Sequence, residues 1–240
     1  MSELPMHAPH VMEGRRRFAR KAKQLDLLTS ELERDFWRRV QLFPTAPASV
    51  RCMYDIMATL IDVDRIWYEP CAGRGHMVVP LRQYGHVVVA SDLYDHGKGF
   101  PVADALDFVA RYGGEDAIMA TNPPFTDDDY RSDQPTLAER IIRKAQESCD
   151  DVIVFGRLGF LTGGLRKYAL HHENPIGNLK TLITHSERVN ICLGRYNPKG
   201  SCATDYAWYH YQRGYRGMYM PIPIEPGALA RNFKPEDVKI

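Results

Sequence analysis

The chain predicts a doubly wound α/β fold, on three observations. From residue 65 onward, short apolar runs alternate with helical patterns across turn residues, the signature of a mostly parallel sheet with helices on its faces. The first run ends in Glu69-Pro70-Cys71-Ala72-Gly73-Arg74-Gly75, a turn of small residues that opens a helix. A later run, Asp116–Thr121, ends in Asn122-Pro123-Pro124-Phe125. Open α/β sheets gather their ligands at such strand C-terminal ends.

Residues 1–12 read as disordered, and 13–41 predict a helix with Leu25, Leu28, Leu32 and Phe36 on one face. The basic cluster Gly14–Lys23 fits a nucleic-acid-facing arm and a solvated helix end equally well. Pro44 and Pro47 interrupt the helical pattern, which restarts over Ser49–Ile61. Strands are expected at Arg65–Glu69, His86–Ser91, Asp116–Thr121 and Asp151–Phe155, and helices at Met77–Tyr84, Ala105–Tyr112 and Pro135–Ser148. Val189–Leu193 and Thr204–Gln212 read as a terminal strand pair. The organisation this gives is an N-terminal arm and helix (1–42), a main domain (43–220) and a C-terminal tail (221–240).

At 240 residues and 44% hydrophobic, the chain can bury one substantial core but would crowd two. The formal net charge is only +1, yet residues 156–217 hold nine Lys/Arg against three acids, an excess suited to a polyanion. Cys52, Cys71, Cys149, Cys192 and Cys202 are odd in number and form no C-x-x-C pair. That argues against a disulfide framework and a structural zinc site, and fits a reducing cytosol. With no apolar run of membrane-spanning length and no signal-peptide core, a cytoplasmic protein is expected.

Asn122-Pro123-Pro124-Phe125 carries the chemistry. The Asn122 side-chain oxygen and the Pro123 carbonyl can each accept one N–H of a planar amine, turning its lone pair toward a methyl donor. Phe125 can then stack on the ring. An amide oxygen is a poor base, so catalysis here would rest on positioning and electrostatics. Both prolines fix φ and remove N–H donors, leaving a stiff rim of acceptors.

The turn at Glu69–Gly75 lets backbone approach a ligand closely. Seventeen positions after Gly75 comes Asp92, followed by Leu93, where a doubly wound fold places an acid on a ribose hydroxyl pair. A nicotinamide cofactor fits that logic too, but G-x-G-x-x-G is absent, because Gly75 is followed by His76-Met77-Val78. Asp104 is a candidate acceptor for a cofactor adenine amine, and Asp107 competes with it; the other of the two would cap or solvate the following helix.

Together these features resemble the class I S-adenosylmethionine-dependent methyltransferases, and more narrowly the amino-methylating, adenine-type DNA methyltransferases of phages and prophages. The stretches that carry the likeness are Phe43–Pro47, Glu69–Gly75, Ser91–Asp95, Thr121–Phe125, Arg157–Leu161, and Ser186–Val189 through Ala203–Trp208, so it covers roughly 43–217. The resemblance implies a Rossmann-like, doubly wound sheet with a reversed last strand. It places the donor's methionine end at Glu69, Pro70, Cys71, Ala72, Gly73 and Gly75, the ribose at Asp92 beside Leu93, and the adenine at Asp104. Thr45 and Pro47 would line the methionine end, although the family's upstream Thr-Pro-Pro reads Thr45-Ala46-Pro47 here. Asn122 would serve both cofactor and acceptor.

Chemistry on a base amine in DNA requires the base to be flipped out of the duplex, onto Phe125. Arg157, Arg166, Arg195 and Lys199 are the candidate nucleic-acid contacts, the last two in a polar loop, Arg195–Gly200. The loop Thr126–Gln134 with Asp127, Asp128 and Asp129 reads as a solvated lead-in to a helix rather than a metal site. His171-His172 lacks metal-ligand spacing and reads as surface. No metal is expected. Cytosine N4, an amino group of an RNA base and a protein glutamine amide are acceptors the same motif could serve. A catalytically silent DNA-binding or pairing subunit is the remaining alternative, and the intact Asn122 and glycine loop count against it.

Overall fold

A computed structural model describes residues 31–114, 116–125, 134–162, 164–200 and 202–240. The chain divides into two units, Met1–Gln41 and Leu42–Ile240. In the first, residues 31–39 form a helix. Residues 40 and 41 form a turn; residues 13–30 of the predicted helix, including Leu25, Leu28 and the basic cluster, lie outside the described residues, as does most of the acidic loop after Phe125.

The second unit is built on a seven-stranded sheet: β1 Ile66–Glu69, β2 Val88–Ala90, β3 Ala117–Thr121, β4 Asp151–Arg157, β5 Leu179–His185, β6 Tyr206–Gln212 and β7 Met220–Ile224. Their order is β2-β1-β3-β4-β6-β5-β7. Every neighbouring pair is parallel except the two made by β6, which runs antiparallel to β4 and to β5. The chain leaves β1 for β2 on one side and returns to β3 on the other. The carboxyl ends of β1 and β3 therefore flank a topological switch point, the place where such sheets bind ligands.

Alternate side chains of the central strands feed two separate cores. Trp67, Ile118, Ala120, Ile153, Phe155, Ile183 and Trp208 pack on one face with the helix Pro47–Met57 and with Val78 and Leu81 of the helix Val78–Gln83. Met119, Val152, Val154, Tyr209 and Tyr211 pack on the other with Val109, Ile141, Ile142, Ala145 and Leu170. Burial on both faces is why β3 and β4 read as continuous apolar runs. Local signals start the helices: Pro47 sits in the first turn of its helix, Asp104 caps Ala105–Tyr112, and Thr136 with Glu139 forms a capping box for Leu137–Gln146.

Four expectations are corrected. The partner of the reversed strand is Leu179–His185, not Val189–Leu193. Val189 and Ile191 are buried against the core from an irregular segment, whereas the strand that does form, LKTLITH, hides its pattern behind Lys180, Thr181 and Thr184. The reversed strand is not the last. Residues 221–240 are not a tail: β7 pairs in parallel with β5, and Asp237 is fully buried in a bidentate pair with Arg51 at 2.7 and 2.8 Å. His171 is not on the surface. It is fully buried, donates from Nε2 to the Phe160 carbonyl at 2.9 Å, and so accepts at Nδ1 from the Tyr211 hydroxyl at 2.9 Å.

Candidate active site

Glu69 ends β1 and Thr121 ends β3, and their side chains meet across the switch point. The Thr121 hydroxyl donates to Glu69 Oε1 at 2.7 Å, and the Cys71 backbone N–H donates to the same oxygen at 3.0 Å. Glu69 is 1% exposed. Burial raises its pKa to about 8, against the opposing effect of those two hydrogen bonds. The negative charge of Asp92 adds to the rise.

Both glycines of the turn after β1 adopt left-handed backbone. Gly73 has φ +52° and Gly75 φ +88°, a region costly for any residue with a Cβ. A Cβ on Gly73 would also stand 2.9 Å from Leu42 Cδ1. The loop is tied to the end of β2 by Ala72 N–H to the Ser91 carbonyl at 2.9 Å and by Gly73 N–H to Asp92 Oδ2 at 2.7 Å. Asp92 Oδ1 accepts from the Tyr94 N–H at 3.0 Å and contacts His96 Nε2 at 3.2 Å. His76, at the helix entry, is 5% exposed, and burial beside Arg74 and Lys98 lowers its pKa to about 4.

Between Asp92 and Asp104 the chain doubles back through one parallel bridge, Asp92 with Val102. The bridge holds the two acids on neighbouring backbones, with Ala103 N–H donating to the Asp92 carbonyl at 2.9 Å. Asp104 rather than Asp107 caps the helix, taking the Leu106 and Asp107 N–H groups on Oδ1 at 2.8 and 3.3 Å. Leu93, Tyr94 and Val102 are exposed apolar side chains beside these acids. Carboxylates, a glycine turn and uncovered apolar surface give this end of the sheet the mix of a few polar groups and apolar area that small-molecule sites carry.

Asn122 follows β3 directly. Its Nδ2 donates to the Phe43 carbonyl at 2.8 Å and to Thr45 Oγ1 at 3.1 Å. A carbonyl can only accept, so the amide is fixed with nitrogen toward Phe43 and with Oδ1 as its remaining acceptor. Pro123 is buried and Pro124 half-buried. The Phe125 ring is half-buried, lies against Gly156 of β4 and meets Phe160 edge-on with centroids 5.2 Å apart.

The structure thus brings Thr45 to Asn122, and Glu69, Cys71, Gly73 and Asp92 around one loop. Pro47 opens the helix that follows Thr45. Arg157, Arg195 and Lys199 are exposed; the Arg166 side chain lies outside the described residues. Lys199 lines, with Arg188, Tyr196 and Ala46, a cavity of about 420 Å³. Three participants escaped sequence reasoning: Phe43, which acts through its backbone; His96, which contacts Asp92; and Gly156, which makes room for Phe125. Only Gly156 carried a signal, since a glycine inside an apolar strand marks a close approach.

No protein-family model matches the chain, and no curated protein sequence matches it. Solved structures do. A class I S-adenosylmethionine-dependent methyltransferase candidate from Listeria monocytogenes superposes with a TM-score of 0.53 at 11% identity, covering 78% of this chain and 68% of that one. A candidate RNA methyltransferase from Pyrococcus horikoshii gives 0.51 at 16% identity, covering 74% and 88%. The methyltransferase subunit of a type I restriction-modification system from Streptococcus thermophilus gives 0.50 at 13% identity, covering 79% of this chain and 52% of the subunit. At these identities the likeness is one of fold. This chain has the fold of the class I S-adenosylmethionine-dependent methyltransferases.

Proposed function

We propose that the protein transfers the methyl group of S-adenosylmethionine to the N6 amine of adenine in DNA. The observation that carries this is the fixed amide of Asn122 at the switch point, next to a glycine turn backed by Glu69 and Asp92. The cofactor, when bound, supplies an electrophilic methyl group on a sulfonium. Its residues here are the Gly73–Gly75 turn and Glu69, with Asp92 for the ribose hydroxyls and, for the adenine amine, either Asp104 through the carboxylate oxygen that does not cap the helix or Asp107, which does not cap it. Asn122 Oδ1 and the Pro123 carbonyl accept the two N–H groups of the acceptor amine and direct its lone pair. Phe125 receives the flipped ring. DNA as acceptor rests on the resemblance of the motif set and on the nine-to-three basic excess in 156–217, with Arg157, Arg195 and Lys199 exposed.

The test is incubation with labelled S-adenosylmethionine and DNA, RNA or protein, followed by nucleoside digestion. N6-methyldeoxyadenosine is expected. N4-methylcytosine alone would move the assignment to the other base, and label only in RNA or protein would overturn the acceptor class. Asn122→Ala should keep cofactor binding and lose about 10²-fold or more in rate.

A further inference from the structure

We propose that Thr45 is a positioning residue for the acceptor: with the Phe43 carbonyl, its hydroxyl holds both amide hydrogens of Asn122 and sets where Asn122 Oδ1 points. This rests on the methyl-transfer function proposed above.

One hydrogen bond locates a nitrogen but leaves the plane of an amide free to swing, because the terminal torsion of asparagine has broad, shallow wells. A second bond to the other hydrogen removes that freedom. Phe43 O at 2.8 Å and Thr45 Oγ1 at 3.1 Å are those two acceptors. Both come from one short segment more than seventy residues upstream. Thr45 is 4% exposed, so water does not readily replace its hydroxyl.

The segment is itself held at both ends. The Leu42 carbonyl accepts from Gly194 N–H at 2.8 Å, and the helix begun at Pro47 is pinned through Ser49, whose hydroxyl accepts from Trp208 Nε1 at 2.9 Å and contacts His185 Nε2 at 2.9 Å. Thr45 is therefore a fixed reference against which the amide is set. The sheet alone, through β3, fixes only the Asn122 backbone. A hydroxyl turned toward Asn122 differs from one lining the cofactor's methionine end, and the two roles separate experimentally.

Thr45→Val keeps the shape and removes the acceptor; Thr45→Ser keeps the acceptor. At saturating substrates Thr45→Val should lower kcat by about ten- to a hundredfold, with the S-adenosylmethionine Kd from calorimetry within twofold of wild type and Thr45→Ser within threefold in kcat. In protein labelled with ¹⁵N-asparagine, the side-chain amide pair assigned to Asn122 by its loss in Asn122→Ala should shift in Thr45→Val and hold its place in Thr45→Ser. An unchanged kcat in Thr45→Val, or a Thr45→Ser variant as slow as Thr45→Val, would overturn the positioning role. So would a loss confined to cofactor affinity. A wild-type protein that labels no acceptor would instead sink the methyl-transfer function, and this role with it, while the resonance shift still reports the hydrogen bond.

Discussion

A methyl group placed on Gly156 should displace Phe125. An ideal Cβ there would stand 2.6 Å from Phe125 Cζ and 3.2 Å from Cε1, whereas carbon pairs rest at about 3.5–4.0 Å. The ring must retreat by roughly 1 Å to restore ordinary contact. Its path is restricted, because Phe160 meets it edge-on and is itself 2% exposed, packed against His171 and Tyr209. Overpacking of this kind costs about 1–3 kcal/mol of stability. If Phe125 receives the acceptor ring as proposed, a shift of that size costs about 10²-fold in rate. Gly156→Ala should thus lower single-turnover methylation by one to two orders of magnitude while leaving the calorimetric Kd for S-adenosylmethionine unchanged, since Gly73 and Asp92 are untouched. Trimming the ring with Phe125→Leu should relieve the stability loss in a double-mutant cycle without restoring rate. A Gly156→Ala protein with wild-type rate and wild-type urea midpoint would refute the packing argument and, with it, Phe125 as the receiving surface.

Asp92→Ala should raise the S-adenosylmethionine Kd by roughly fivefold to 150-fold, the loss of about 1–3 kcal/mol expected for a charged hydrogen bond; unchanged affinity would remove Asp92 from the site. Asp237→Ala leaves Arg51, 3% exposed, with a buried unpaired charge. Urea unfolding should register a loss of about 3–5 kcal/mol, and a loss under 1 kcal/mol would mean that the C-terminal segment is not clamped this way. Stability should fall as pH drops from about 6.5 toward 4.5. Burial holds His76, His171 and His185 at about 4, so the unfolded chain binds three more protons there, offset by one on the folded state at Glu69, raised to about 8. From these four groups the net of two protons amounts to about 2–3 kcal/mol per pH unit, and His210, whose pKa burial also lowers, acts in the same direction; a flat urea midpoint over that window would contradict it. Arg195→Ala or Lys199→Ala should weaken DNA binding equally on all sequences and flatten its salt dependence, and a sequence-selective loss would show base contact instead.

Local and periodic signals in the chain were enough to specify the fold class, the strands β1 to β4, the helix Ala105–Tyr112 and the positions of the glycine turn and Asn122. Each is encoded within a few residues: apolar runs buried on both faces, a capping Asp104, a turn that demands glycine at positive φ. Neighbours far apart in sequence were decided only by tertiary structure. Leu179–His185 became a strand because β6 offers it a hydrogen-bonding edge, which outweighs its mixed polarity. Residues 221–240 became sheet and clamp because Arg51, buried in a helix 186 residues away, requires Asp237. The orientation of Asn122 belongs to the same class. The motif supplies the amide, but its direction comes from a backbone carbonyl at Phe43 and a hydroxyl at Thr45, and a carbonyl's aim is set by chain path, which residue identity does not record.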